Sequence, residues 1–281
     1  MTLTNTSPAD HDDLAEFGYD QQLHRSLGKF ASFAAGFSFV SILTTIFQLF
    51  GLGYSFGGPA FFWTWPVVFI GQFAVALCET GHALLLDCLS LETQNVALAG
   101  DAPVFFVCDT AKERTLAASA YNQRRAECES AARHFGYVSL RHVTPEQLEA
   151  GRDELPEHVY RRCRHVLSEN ARVHEAIAVM GRGAWERFGE LLQASHASLR
   201  DDYEVSCDEL NIMCELAMEH DGCLGARMVG AGFGGCAMAA VRREAVAGFA
   251  ETVGAAYQSR TGLQPRLFAV QAAGGAAILP H

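Results

Sequence analysis

From Phe30 to Cys78 the chain carries no acidic, basic or histidine side chain. A run of about fifty such residues is too long for one membrane crossing of ~20 residues and suits two crossings with a tight connection. The segment 51–59, GLGYSFGGP, supplies the break, because glycine and proline punctuate helices. The run therefore predicts one span near Phe30 to Phe50 and a second near Ala60 to Cys78. Phe61, Phe62, Trp63 and Trp65 fall where the second span would enter the bilayer, as an interfacial aromatic belt does. Arg25 and Lys29 are the only basic residues ahead of the first span, which places the N-terminus in the cytoplasm, and two crossings return the chain there. The expected organisation is a polar segment 1–29, a membrane hairpin 30–78 with both ends cytoplasmic, and a soluble region 79–281. A cleaved signal peptide fits less well, since its apolar region is short and follows a basic start, whereas this run follows Asp10, Asp12, Asp13, Glu16 and Asp20. A buried soluble hairpin, which would leave the whole chain cytoplasmic, would carry polar residues at helical spacing on its outer face.

After Glu79 both signs of charge alternate to the end. The net charge of −11 comes with no Lys/Arg stripe, which excludes a nucleic-acid partner. The nine cysteines form no C-x-x-C pair and no Cys/His cluster with zinc spacing, so they read as small core residues of a reducing compartment. The eleven histidines show no H-E-x-x-H pattern; His165 and His196 read as structural, and no metal site is expected.

Short apolar runs at His82 to Asp87 and Val104 to Cys108 predict strands, and the stretch from Gly81 to Leu98 reads as a strand pair. Helices are predicted over Leu116 to Phe135, Glu157 to Met180 and Ala184 to Leu199. Thr144-Pro-Glu-Gln147 has the form of a helix N-cap with proline at the first position, and Ser206-Cys-Asp-Glu209 that of a capping box. Leu210, Met213, Cys214 and Ala217 recur at i, i+3, i+4 and i+7 and predict a core stripe ended by Asp221-Gly222. A strand from Cys236 to Val241, a helix from about Arg243 to Ser259 and a strand from Leu267 to Gln271 complete an α+β pattern. Its helices are expected on one face of an antiparallel sheet.

Between Gly225 and Cys236 the glycines at 230, 232, 234 and 235 would let backbone amides approach a phosphate. A dinucleotide fingerprint would need a helix directly after them, and a strand follows instead, so the element reads as strand-loop-strand. A plain tight turn remains the alternative. Asp201 and Asp202 invite a general-base reading, but adjacent residues at a helix end point apart, which favours a solvated cap.

Two resemblances follow from longer stretches. Residues 17–78 resemble the start of amino-acid permeases of the amino acid/polyamine/organocation superfamily, in a pre-helix element and the first two of many spans; two spans alone would not transport. From Gly81 to the end, about 200 residues are similar to the C-terminal part of the galactokinase family of galacto/homoserine/mevalonate/phosphomevalonate (GHMP) sugar kinases. The matching stretches are GHALLLDCLSLET, SAYNQRRAECESAARHFG, RHVLSENARV, SHASLRDDYEVSCDELN and GARMVGAGFGGCAMAAV. The resemblance implies a ferredoxin-like C-terminal domain and ATP-dependent phosphorylation of the anomeric hydroxyl of galactose, with Mg²⁺. It further implies that Tyr121 hydrogen-bonds the sugar and that Gly230, Gly232, Gly234 and Gly235 lie beside the phosphates. Without it, Tyr121 reads as a helix residue that packs its ring and wets its hydroxyl. The family's sugar motif, phosphate loop and M-D-Q element have no counterpart in this sequence, so catalytic incompleteness is expected. Alternatives are a membrane-anchored sugar- or nucleotide-binding remnant, or a non-functional fusion.

Overall fold

The computed structural model describes residues 78–113 and 117–274. The chain divides into two compact units, Met1–Gly71 and Gln72–His281, and every described residue belongs to the second. Among the described residues no helix is long and apolar enough to cross a membrane. The hairpin expected over 30–78 lies, apart from Cys78, outside them.

Two sheets form. Strands β1 (His82–Leu86) and β2 (Thr93–Ala97) pair only with each other, antiparallel, with Leu84 opposite Asn95. The second sheet has β3 (Val104–Asp109), β4 (Cys223–Met228), β5 (Cys236–Val241) and β6 (Arg266–Val270), antiparallel throughout in the order β4-β5-β3-β6. Counted along the chain this places the first and third strands in the centre, the ferredoxin-like order.

Five helices connect β3 to β4: α1 (Ala117–His134), α2 (Pro145–Ala150), α3 (Glu157–Arg182), α4 (Trp185–Asp201) and α5 (Asp208–Glu219). At the start of α2 the Thr144 hydroxyl accepts from the Gln147 amide while the Gln147 side chain accepts from the Thr144 amide, the reciprocal cap that its sequence predicts. The box expected at Ser206 does not form. Helix α5 begins one residue later, with Cys207 at the N-cap, so Glu209 falls one place short of the position that could reach back, and the Ser206 hydroxyl donates to Asn211 Oδ1 instead. The helix expected from Arg243 is also divided. A short 3-10 turn at Arg243–Ala245 ends before Gly248, whose φ of 83° is left-handed, and α6 (Phe249–Thr261) starts after it.

Alternation along the strands decides where the core sits. Phe106 and Cys108 on β3, with Ala237, Ala239 and Val241 on β5, face a core filled by Leu210, Met213 and Ala217 of α5 and by Phe249, Val253 and Tyr257 of α6. The stripe read from the α5 sequence is thus core. The intervening residues, Phe105, Met238 and Ala240, face α4 through Trp185, Phe188, Leu191 and Leu192. The sheet is therefore covered on both faces rather than one. Its small residues permit this: a side chain at Gly225 would stand 2.3 Å from the Gly189 carbonyl oxygen, so α4 rests on β4 backbone to backbone. A third cluster joins α1, α2 and α3 through Ala131, Ala132, Leu148, Tyr160 and Cys163.

Candidate functional site

Tyr121 lies in the first turns of α1 with its side chain half exposed, 52%. One helical turn on, Arg124 is turned toward the segment that links α4 to α5. Its Nε donates to the Tyr203 carbonyl at 2.7 Å and its Nη2 to the Glu204 carbonyl at 3.4 Å. At two turns, Cys128 sits 3.9 Å from the Tyr203 hydroxyl. Tyr121, Cys128 and Tyr203 line a shallow pocket of ≈ 270 Å³ together with Arg125, Leu140 and Val166. Burial drives both the Cys128 thiol and the Tyr203 phenol above their ordinary ranges, so both stay neutral at physiological pH.

The glycine element is the β4–β5 hairpin loop, strand-loop-strand as its sequence predicts. Gly230, Gly232, Gly234 and Gly235 all have positive φ, 79°, 81°, 121° and 84°. Two of them are also packed too closely to bear a side chain. A Cβ at Gly232 would lie 2.0 Å from the Val205 carbonyl oxygen, and one at Gly234 would lie 2.8 Å from that of Lys112. The loop is held at the same places. The Phe233 amide donates to the Val205 carbonyl at 2.8 Å, the Gly235 amide to the Lys112 carbonyl at 3.3 Å, and the Thr110 hydroxyl to the Gly235 carbonyl at 2.6 Å. On the side where a Cβ would stand, Gly232 and Gly234 face protein carbonyls, and the Phe233 and Gly235 amides are committed to those carbonyls.

Tyr121 and the glycine loop are joined through residues 202–205. Arg124 holds the carbonyls of Tyr203 and Glu204, while Val205 holds Phe233. Beneath this strap lies Arg162, 2% exposed. Its guanidinium donates to Glu127 at 3.1 Å, to the Asp202 carbonyl at 2.5 Å and to the Glu204 carboxylate at 2.5 Å. Arg124 also pairs with Glu127 at 3.2 Å, and Arg161 with Glu204 at 2.7 Å. The hydrogen bond from Arg162 holds the Glu204 carboxyl below the usual carboxylate range.

Asp201 and Asp202 point apart as expected, but only one is solvated. Asp201 is exposed and pairs with Arg200, which lowers its pKa. Asp202 is buried, accepting from Nε and Nη2 of Arg164 and from the Ser198 hydroxyl at 3.3 Å. Arg164 lies 38 residues away in sequence, so the cap reading does not reveal this burial. A carboxylate so fully engaged makes a poor general base. His165 completes that corner, 2.9 Å from Ser198 Oγ and stacked on Tyr203 at 4.5 Å. His196 accepts the Met228 amide at 3.3 Å. Burial lowers both imidazoles to about 4, and both serve packing. Among the described residues no group of three or more His, Cys, Asp or Glu is placed to hold a metal ion.

Residues 174–259, from the second half of α3 to α6, match the family model described as GHMP kinases C terminal. The second unit carries a GHMP kinase C-terminal domain. The relatives agree. The chain is 43% identical over 209 residues to a galactokinase from Roseiflexus sp. (strain RS-1), covering 73% of this chain and 53% of that one. It is 40% identical over 214 residues to the galactokinase of Homo sapiens, covering 76% and 54%. The crystal structure of Lactococcus lactis galactokinase complexed with galactose superposes with a TM-score of 0.68 at 38% identity, over 74% of this chain and 55% of that one. The chain thus spans about half the length of the curated relatives it matches. Arg124, Glu127, Arg162, Glu204 and Val205, which tie the Tyr121 helix to the glycine loop, were not singled out from the sequence. Helical spacing from Tyr121 is the signal that would find Arg124 and Cys128, whereas Val205 contributes a backbone carbonyl and leaves no such trace.

Proposed function

We propose that the chain supplies the C-terminal side of a galactokinase-type active site. Tyr121 hydrogen-bonds the sugar, and the loop containing Gly230, Gly232, Gly234 and Gly235 borders the transferred phosphate. The observation that carries this reading is the continuous tie from the Tyr121 helix through residues 203–205 to the glycine loop, in a chain 38–43% identical to galactokinases. In the reaction the anomeric oxygen of galactose attacks the γ-phosphorus of ATP. The bond to the bridging oxygen breaks, ADP leaves, and the hydroxyl proton passes to a base. Mg²⁺, when bound, would neutralise charge on the phosphates. Among the described residues no base is identified and no group of three or more side chains is placed to hold a metal ion, and the sequence lacks the family's sugar motif, phosphate loop and M-D-Q element.

The purified chain by itself therefore forms no galactose 1-phosphate from galactose and ATP. Turnover that Tyr121→Phe abolishes would overturn this incompleteness. Calorimetry with galactose tests the sugar contact separately: heat that Tyr121→Phe removes supports it, and silence with both galactose and ATP ends it. The charge-free run from Phe30 to Cys78 favours a second reading, a sugar- or nucleotide-binding remnant held at a membrane with both ends cytoplasmic. Flotation of the expressed chain with lipid vesicles checks that reading, and a chain left at the bottom of the gradient rejects it. A non-functional permease-kinase fusion is the outcome if neither binding nor flotation is observed.

A further inference from the structure

Glu204 has a φ of 54°, a left-handed backbone that a non-glycine residue adopts at a cost. Three arginines surround it. Arg162 and Arg161 bond its carboxylate, and Arg124 its carbonyl. The same Arg162 holds the Asp202 carbonyl and the same Arg124 the Tyr203 carbonyl, so Asp202, Tyr203 and Glu204 are each fixed through the backbone by guanidinium groups of α1 and α3. The next residue, Val205, seats the glycine loop through its carbonyl. Phe233, which donates to it, is itself left-handed at 58° and is flanked by two left-handed glycines. Two strained segments thus meet at one hydrogen bond, and only one of them is anchored by charge.

We propose that Arg124 and Arg162 are positioning residues: they hold the Asp202–Val205 strap in its strained form, and the strap in turn sets the glycine loop against the Tyr121 helix. Glu127 keeps the two guanidinium groups in register, since it accepts from both. The mechanical link stands on these contacts alone; its value to a sugar kinase rests on the galactokinase reading above. In that setting the arginines touch neither sugar nor phosphate, and they act by fixing where the loop stands.

Amide hydrogen exchange on the full chain, read by mass spectrometry, tests the link without any ligand. In Arg124→Gln, peptides covering 229–236 are expected to exchange about tenfold faster or more, because charge-assisted bonds to the strap are lost. Peptides from β3 and β5 should keep the exchange of the parent chain. Arg162→Lys, which retains charge but cannot span three diverging acceptors, is expected to show the same local pattern. Arg124→Lys should recover part of the protection. Loop exchange unchanged in Arg124→Gln would overturn the proposal, and so would a uniform rise across β3, β5 and the loop. If Arg162→Lys fails to fold, Arg124→Gln alone decides. Failure here with galactose heat still sensitive to Tyr121→Phe would remove the link and leave the galactokinase reading standing.

Discussion

The two sheets are built from similar sequence and have different fates. Strand β5, CAMAAV, buries alternate residues against α5 and α6 on one side and α4 on the other. Strand β1, HALLL, is at least as apolar, yet no residue of it is fully buried, and Leu89 and Leu91 in the connection to β2 are exposed. Apolar composition makes a strand plausible; cover on its faces makes it core. The four-stranded sheet is stabilised by packing on both faces, whereas of the hairpin's strand residues only Val96 is buried, and the turn is tied to its surroundings by an ion pair between Asp87 and Arg141.

The difference should widen most sharply with pH. His165 and His196 lie in the helical layer with pKa values lowered to about 4 by burial, against 6.5 when unfolded. Between those values the unfolded chain binds more protons, so stability is complete above pH 6.5 and falls as pH drops toward 4, with no further loss from these groups below it. Each shift corresponds to about 3 kcal/mol at most. Asp87 titrates in a lower window: hydrogen bonds from Arg141 and the Leu89 and Ser90 amides hold its pKa far below the ordinary carboxylate value, so it stays charged and the hairpin tie persists while the histidines protonate. Thermal unfolding followed between pH 7 and 4 should show a falling midpoint, with a shallower fall in His165→Gln. A flat profile in the parent chain would mean that the histidines are not buried in this way.

Truncation gives the next largest contrast. Phe249 is fully buried, with its ring 4.6 Å from that of Phe106, and Phe249→Ala should cost about 3–5 kcal/mol in a denaturant titration. Leu89→Ala, at a side chain 62% exposed, should stay within about 0.5 kcal/mol. Comparable losses at both sites would show that the hairpin is covered after all.

Two glycines separate backbone conformation from packing. Gly81, leading into β1, and Gly232, in the β4–β5 loop, have φ of 74° and 81°. A Cβ at Gly81 meets nothing within 4 Å, while one at Gly232 meets the Val205 carbonyl at 2.0 Å. Gly81→Ala should therefore cost only the left-handed penalty, about 1–2 kcal/mol. Gly232→Ala should add about 1–3 kcal/mol of overpacking to that penalty. Equal losses would mean that the loop yields freely, and would weaken the case for a fixed strap beneath it.

How far the sequence discloses this depends on the range of the interaction. Local rules locate the Thr144 cap, the α5 stripe and the glycine hairpin, because partners three or four residues apart, or across a short loop, are visible as spacing. The Arg162 site is not visible in that way. RRCRH offers three arginines between Arg161 and His165, and nothing local says that the middle one is buried while its partner Glu204 stands 42 residues on. The second helical cover on the sheet was missed for a related reason. Alanine at 240 reads as indifferent until Phe188 and Trp185 are set against it.

The smallest expected effect probes the hairpin's own tie. Asp87 accepts from both terminal guanidinium nitrogens of Arg141, and from the Leu89 amide at 2.8 Å and the Ser90 amide at 3.2 Å, so one carboxylate shapes the turn and docks it. The pair is open to solvent, where such interactions contribute little to global stability. Arg141→Ala removes the docking and leaves the turn bonds, so the unfolding midpoint should hardly move. The turn should nevertheless be cut faster by a protease, because local opening does not require the four-stranded sheet to unfold. Asp87→Asn keeps an acceptor oxygen for the turn but loses the charge, and should fall between the parent chain and Arg141→Ala. If instead Arg141→Ala lowers the midpoint as far as Phe249→Ala does, hairpin and sheet unfold as one unit, and the contrast between them is of degree only.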